Sequence, residues 1–261
     1  MFLVVTRNFP PDVGGMQILM GGLTKSLIEH GPVKVFANEF PNSGLYDKKI
    51  SAEIHRISGI KLFQKYRKAN LVNDFINSNN NIRGLFADHW KSLELIKKES
   101  LRKVKTFCLL HSKEINHEVG SSLNKRLIES TNNADYIIAN SNFTKQLAIK
   151  VGINRSKLSV IFPGIPKPDK IDNITKNKAE KIFNNSFPKI ITVSRLEKRK
   201  GHDKILMLIK NLKIKYPNIK YVYSINSAIS STSEYIYSHE SGTYRRGSTW
   251  LEGGGVRGNS G

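Results

Sequence analysis

The sequence predicts an α/β fold built on parallel sheets, and three observations carry that expectation. Short apolar, β-branched runs alternate with segments whose apolar residues recur at helical spacing. That alternation is the order produced by strand–helix–strand crossovers. The 261 residues suffice for one large domain or two ordinary ones.

The elements follow in chain order. Phe2-Leu3-Val4-Val5-Thr6 reads as a buried first strand. Phe9-Pro10-Pro11-Asp12-Val13-Gly14-Gly15 breaks it. Met16, Leu19, Met20, Leu23 and Leu27 then fall at helical spacing, and Gly31 is placed to end that helix. Gly14 and Gly15 thus lie where backbone can approach a ligand closely, ahead of a helix N-terminus that attracts anions. A loop that merely needs positive φ is the plainer alternative. Residues 33–37 read as a second strand, 52–57 alternate like a third, and 65–77 form a helix. Residues 82–87 are a fourth strand, ending at Asp88-His89-Trp90-Lys91, a cluster that reads as loop packing. Residues 105–110 are a fifth, ending at His111-Ser112. Residues 134–139 are a sixth, followed by Asn140-Ser141-Asn142-Phe143-Thr144 and a short helix stopped by Gly152. Ser141 and Thr144 read as helix caps. Residues 158–162 are a seventh strand, closed by Pro163-Gly164. A complete Rossmann-like domain is therefore expected over 1–165.

Residues 166–187 read as a linker with a short helix. A second Rossmann-like domain starts over 188–224. It has the strand Ile190-Ile191-Thr192-Val193, a helix carrying Ile205, Leu208, Ile209 and Leu212 on one face, and the strand Ile219-Lys220-Tyr221-Val222-Tyr223. Lys then vanishes, and Ser and Gly dominate residues 225–261 without helical or strand periodicity. A flexible natural tail is one reading. A shifted reading frame is preferred, because a low-complexity tail should keep the local Lys, Asn and Ile bias.

Between the strand at 190–193 and the helix that follows lies Ser194-Arg195-Leu196-Glu197-Lys198-Arg199-Lys200-Gly201. Arg195 and Lys200 are fixed cations where a strand hands over to a helix, which suits a phosphate or diphosphate. A solvated basic loop is the alternative.

Composition narrows the classes. The net charge of +21 implies affinity for polyanions: anionic lipid, nucleic acid or phosphorylated substrates. Nucleic acid is disfavoured, since no zinc-finger spacing, RNP-type aromatic motif or clear helix-turn-helix occurs. The single cysteine, Cys108, excludes an internal disulfide and fits a reducing cytoplasm. No run of about 18 apolar residues exists and no signal peptide is recognised, so a cytoplasmic protein is expected. His89, Cys108, His111 and His117 do not have a metal-ligand spacing.

Phe-Pro-Pro-x-x-Gly-Gly at 9–15, a His after a central strand at 111, and Ser-Arg-Leu-x-x-x-Lys-Gly at 194–201 occur in that order. The set resembles family-4 glycosyltransferases of the GT-B fold, from Met1 to about Ser224. The resemblance implies transfer of a sugar from a nucleotide-diphosphate donor to a glycan or lipid-linked acceptor, with retention of anomeric configuration. Hexosyl transfer in cell-surface polysaccharide or glycolipid synthesis is the expected context. It implies donor binding by Gly14, Gly15, Ser194, Arg195 and Lys200. It implies catalytic roles for His111, Arg195 and Lys200, with His111, Glu114 and His117 on the acceptor side. The nucleotide sugar is a substrate, so no cofactor is expected. No metal is expected either, because protein cations serve where other transferases use a divalent ion. Basic charge suits docking on an acidic inner membrane surface.

One departure stands out. The family carries a Glu-x7-Glu segment late in its second domain, and Glu234, Glu240 and Glu252 lack that spacing. The expectation is a chain truncated or frameshifted in its second domain, with weak or absent activity. The alternative function is a non-catalytic binding module for anionic lipid or glycan.

Overall fold

Seven of the apolar runs pair into one parallel sheet, in a computed structural model describing residues 1–164, 170–194 and 197–224 and three short strands at 235–238, 243–246 and 249–251. The chain divides into two units, Met1–Lys167 and Pro168–Gly261.

In the first unit the strands are β1 (Phe2–Val5), β2 (Val33–Asn38), β3 (Glu53–Ile57), β4 (Gly84–Ala87), β5 (Thr106–Leu110), β6 (Tyr136–Ala139) and β7 (Leu158–Val160). Their order is β3-β2-β1-β4-β5-β6-β7. The order reverses between β1 and β4, where Val5 stands opposite Ala87. In open α/β sheets the crevice beyond the strand ends at such a reversal is the ligand position.

The helices are α1 (Gly15–Ile28), α2 (Ser43–Asp47), α3 (Lys61–Ser78), α4 (Trp90–Leu93), α5 (Lys98–Leu101), α6 (Ser112–Ile115), α7 (Ser122–Asn132) and α8 (Asn142–Lys150). Side-chain caps fix two of the starts. Ser121 accepts from the Asn124 N–H, and Ser141 accepts from the Thr144 N–H. Caps of this kind stabilise a helix by about 0.5–2 kcal/mol. Helix α1 has no side-chain cap and no acidic residue in its first turn.

The two faces of the sheet are covered unequally. Leu3, Val5, Phe36, Leu85, Cys108, Leu110 and Ile137 point to one face. There they meet Val72 and Ile76 of α3, Trp90 and Leu93 of α4, Leu101 of α5, Leu127 of α7 and Ala148 of α8. Each fully buried aliphatic side chain contributes roughly 1.5–3 kcal/mol, so this layer dominates the stability. On the other face Val4, Val35 and Ala37 pack against Met20 and Leu27 of α1. Phe86, Phe107 and Tyr136 stack across three strands with ring centroids 4.6 and 4.9 Å apart. Tyr136, Ile161 and Phe162 are exposed.

In the second unit β8 (Lys189–Val193) pairs in parallel with β9 (Lys220–Ser224). Helix α9 (Asn173–Phe183) precedes them, and α10 (His202–Lys215) connects them. Ile209 of α10 and Tyr221 are buried together with Ile190, Ile205 and Leu212 at their edge. The opposite face of β8 leaves Ile191 and Val193 exposed, although parallel strands are normally buried on both sides.

The tail differs from expectation. Residues 225–261 were read as lacking strand periodicity. Instead β10 (Tyr235–Ser238), β11 (Thr243–Arg246) and β12 (Thr249–Leu251) pair antiparallel, in the order β10-β11-β12. The runs are only three or four residues long, too short for period-2 alternation to show, yet they carry the aromatic and β-branched types that strands favour. Among the described residues, no helix is long and apolar enough to cross a membrane.

Candidate functional site

The loop after β1 is held from beneath by Arg56 of β3. Its guanidinium pairs with Asp47 at 2.6 Å and donates to the Pro10 carbonyl at 2.5 Å and the Asn38 carbonyl at 3.3 Å. That clamp sets the approach to α1. Gly14 is extended, with φ 168, so left-handed backbone is not the reason for a glycine there. Gly15 faces open space, with nothing within 4 Å of where a Cβ would sit. A ligand can therefore come close to the backbone at the uncapped start of α1, where N–H groups and the helix dipole favour negative charge.

At the sheet reversal, Asp88 is fully buried. Its Oδ2 accepts from the Thr6 hydroxyl and the Arg7 N–H, both at 2.9 Å, and its Oδ1 accepts from Ser92 Oγ at 2.6 Å. His89 Nδ1 accepts from the Lys91 N–H at 2.9 Å, which leaves the ring proton on Nε2. That Nε2 lies 2.7 Å from Glu114 Oε2. The Trp90 indole donates to the Glu114 carbonyl at 3.0 Å. The Asp88-His89-Trp90 cluster therefore packs and orients the strand end, as its sequence suggested. Burial pushes the Glu114 carboxyl up. The hydrogen bond from His89 and the charges of His89, His111 and Arg7 outweigh that and hold it below the ordinary value.

His111 follows β5. Thr144 Oγ1 donates to Asn140 Oδ1 at 2.7 Å, which turns the Asn140 amide nitrogen to His111 Nδ1, 3.3 Å away. The amide donates, so Nδ1 accepts and the proton sits on Nε2. His111 Nε2 is buried and has no partner among the described residues. Burial also lowers the pKa of His111, against the pull of Glu114 and Asp88, so the ring favours its neutral form. The result is a neutral imidazole presenting one N–H donor.

A cavity of about 880 Å³ brings Gly15 and His111 together, with Asn140 beside them and Leu19, Leu23 and Leu109 supplying apolar wall. Glu114 and His117 do not line it. Glu114 is engaged with His89, and His117 stands edge-on to Trp90 with its Nε2 buried. Among the described residues, no group of three or more His, Cys, Asp or Glu is placed to hold a metal.

In the second unit, Arg195 and Leu196 lie outside the described residues. Ser194 Oγ and His202 Nε2 are 2.9 Å apart, which ties the end of β8 to the start of α10. Lys200 closes a 3-10 turn over Lys198–Lys200, and Gly201 turns the chain into α10 at φ 69, a left-handed conformation that favours glycine. Lys200 thus stands one residue ahead of a helix N-terminus. Sequence reasoning missed Asn140 and His202. Both are ordinary polar types whose role depends on a partner 29 or 8 residues away.

No curated protein matches the chain. The chain is similar in structure to Anabaena Alr3699/HepE in complex with UDP-glucose, with 16% identity and a TM-score of 0.63, over 85% of this chain and 60% of that one. The same Anabaena protein in complex with UDP and glucose gives 19% identity and a TM-score of 0.61, over 85% and 60%. A glycosyltransferase from Rickettsia africae ESF-5 gives 15% identity and a TM-score of 0.52, over 87% and 68%. This chain thus spans about 60% of the length of the Anabaena protein. These likenesses establish the GT-B fold. The family model for Glycosyltransferase Family 4 matches residues 13–167, more than half of the chain. The chain belongs to glycosyltransferase family 4.

Proposed function

We propose that this chain derives from an enzyme that transfers a hexosyl group from a nucleotide-diphosphate donor to a glycan or lipid-linked acceptor. The observation that carries the reading is the neutral His111, which lines one cavity with Gly15 and keeps a buried Nε2–H with no partner among the described residues. Family membership and the UDP-glucose held by the Anabaena protein support it.

In such a transfer the leaving nucleoside diphosphate gathers negative charge on its oxygens. Preorganised cations and N–H donors aimed at those oxygens supply the main catalytic effect. Lys200 and Arg195 suit that task by charge and by position before α10, with Ser194 beside them. In the first unit, the uncapped N-terminus of α1 at Gly14-Gly15 offers backbone N–H donors suited to an anion. His111 Nε2–H is suited to a hydroxyl of the transferred sugar. Glu114, paired with His89, acts on the acceptor side through the packing of this strand end, and His117 flanks it. Residues 188–261 lack the Glu-x7-Glu segment, so turnover by this chain alone is expected to be low. The net charge of +21 supports work at the cytoplasmic face of an anionic membrane, in cell-surface polysaccharide or glycolipid synthesis.

Calorimetric titration tests the reading. UDP-glucose and UDP should both bind, and His111→Ala should weaken UDP-glucose while leaving UDP unchanged. Absence of binding by either ligand, or equal effects on both, would remove the transfer role of His111. Anionic liposomes that float the chain while UDP-glucose fails to bind would instead favour a non-catalytic lipid-binding module.

A further inference from the structure

A second cavity of about 1130 Å³ opens beyond the ends of β1, β2 and β4 in the first unit, and none of the candidate donor, acceptor or catalytic residues lines it. Arg7, Lys65, Lys68, Lys91 and Arg126 line it, against the carboxylates of Asp12, Glu39 and Glu94. Two of those carboxylates are occupied. Glu94 pairs with Arg126 at 2.5 Å, and Asp12 accepts from the Val13 N–H and from Gln17. Arg7, Lys65 and Lys91 make no ion pair among the described residues, and Glu39 is the remaining carboxylate on the wall.

Lys68 is the unusual member. It is only 5% exposed. Its Nζ donates to the Thr6 carbonyl and to Asn38 Oδ1, each at 2.6 Å. Both acceptors are neutral, and two bonds use two of three ammonium N–H groups. Burying an ammonium without a bonded counter-charge is costly. Burial accordingly lowers its pKa to about 8, with Asp88 pulling the other way and Arg7 adding to the fall. An anion seated in the cavity would relieve that cost.

The four cations come from three parts of the chain. Arg7 follows β1, Lys65 and Lys68 sit one turn apart on α3, and Lys91 lies in α4. Residues three apart on a helix share a face. Four cations lining one cavity, with the Lys65 and Lys91 ammoniums over the Tyr66 and Trp90 rings at 4.9 and 5.0 Å, suit a phosphate, which has three terminal oxygens and a charge near −2, better than a planar carboxylate with two oxygens. We propose that this cleft binds a phosphate group carried by the acceptor, held by Arg7, Lys65, Lys68 and Lys91. The acceptor assignment rests on the transfer reading above; the phosphate site itself does not.

The test is a set of titrations of the full chain at physiological salt, with glucose 6-phosphate, glucuronate, glucose and UDP. Glucose 6-phosphate should bind saturably, at least tenfold more tightly than glucuronate or glucose. The double variant Arg7→Ala/Lys65→Ala, which alters two exposed side chains and should fold, ought to lose tenfold or more of that affinity and keep its UDP affinity. Lys68→Met should lose it too, if its melting profile remains native. No preference for the phosphate ester, or an unchanged affinity in the double variant, overturns the proposal. The latter outcome would place the anion elsewhere, for example at the loop carrying Lys200. If UDP fails to bind while glucose 6-phosphate retains its dependence on Arg7 and Lys65, the transfer reading falls and the phosphate site stands.

Discussion

Asp88 takes the hydroxyl of Thr6 at 2.9 Å and so joins the ends of β1 and β4 at the point where the sheet reverses. The same carboxylate oxygen holds the Arg7 N–H, and its other oxygen holds Ser92. Three buried or half-buried donors therefore depend on one side chain. Asp88→Ala should lower stability by about 3 kcal/mol or more, since hydrogen bonds to a charged group are worth roughly 1.5–3 kcal/mol each and the orphaned donors remain buried. Urea denaturation measures this. A loss under about 1 kcal/mol would show that the carboxylate does not tie the strand ends.

Asn140 should govern the protonation of His111. In Asn140→Asp a carboxylate would face Nδ1, drawing the proton to that nitrogen and favouring the charged ring. The pKa of His111 should rise, and nitrogen chemical shifts of the imidazole should report the exchange of tautomer. UDP-glucose affinity should fall in step. An unaltered tautomer would separate His111 from Asn140.

The open space beside Gly15 permits a large residue without a clash. Gly15→Leu should leave the melting temperature unchanged or raise it slightly, because glycine is the poorer helix former. It should also weaken UDP-glucose binding at least tenfold by filling the cavity shared with His111. Full retention of binding would place the ligand away from α1.

Acid should destabilise the first unit in two steps. His111 and Glu114 both have folded pKa values below their ordinary ones. For a depressed value the unfolded chain binds more protons, so stability rises with pH. The contribution of His111 is complete above the ordinary imidazole value of 6.5 and is lost as pH falls through its lower folded value. Glu114 repeats the pattern from 4.5 downward. Urea midpoints should therefore drop from pH 7.5 to pH 5, and less steeply in His111→Gln.

Cys108 is fully buried in the larger core, and desolvation, with the Asp88 charge adding to it, pushes its thiol well above the usual range. The thiolate is the reactive form. A disulfide reagent such as DTNB should thus leave the native chain unmodified and label it fully in denaturant. Rapid labelling without denaturant would mean that the core opens locally.

The strands of the first unit were legible because most are short apolar runs bounded by polar or glycine-bearing text, and β3 shows period-2 alternation. All seven runs became strands, with ends shifted by a residue or two where pairing partners stop; Thr6, just past β1, still donates its N–H to the Phe36 carbonyl while its hydroxyl donates to Asp88. The position of His111 directly after a central strand was legible. Its tautomer was not, because that depends on Asn140 and Thr144, 29 and 33 positions later. The basic cleft was hidden for a different reason. Arg7, Lys65, Lys68 and Lys91 are four among 42 lysines and arginines, and only the crossing of β1, α3 and α4 gathers them. The strand pairing of the tail was invisible because its three- and four-residue runs mix polar and charged residues with their aromatic ones and so show no apolar block.

The stacked rings of Phe86, Phe107 and Tyr136, with Ile161 and Phe162 beyond them, have a consequence for handling the protein. Two copies meeting through the exposed Tyr136, Ile161 and Phe162 would bury apolar surface, and mutual repulsion from a charge of +21 is what opposes them. Repulsion of this kind reaches only about 10 Å at 0.1 M ionic strength and about 3 Å at 1 M. Colloidal behaviour should therefore invert the usual laboratory habit: dilute buffer keeps the solution clear, and concentrated salt clouds it.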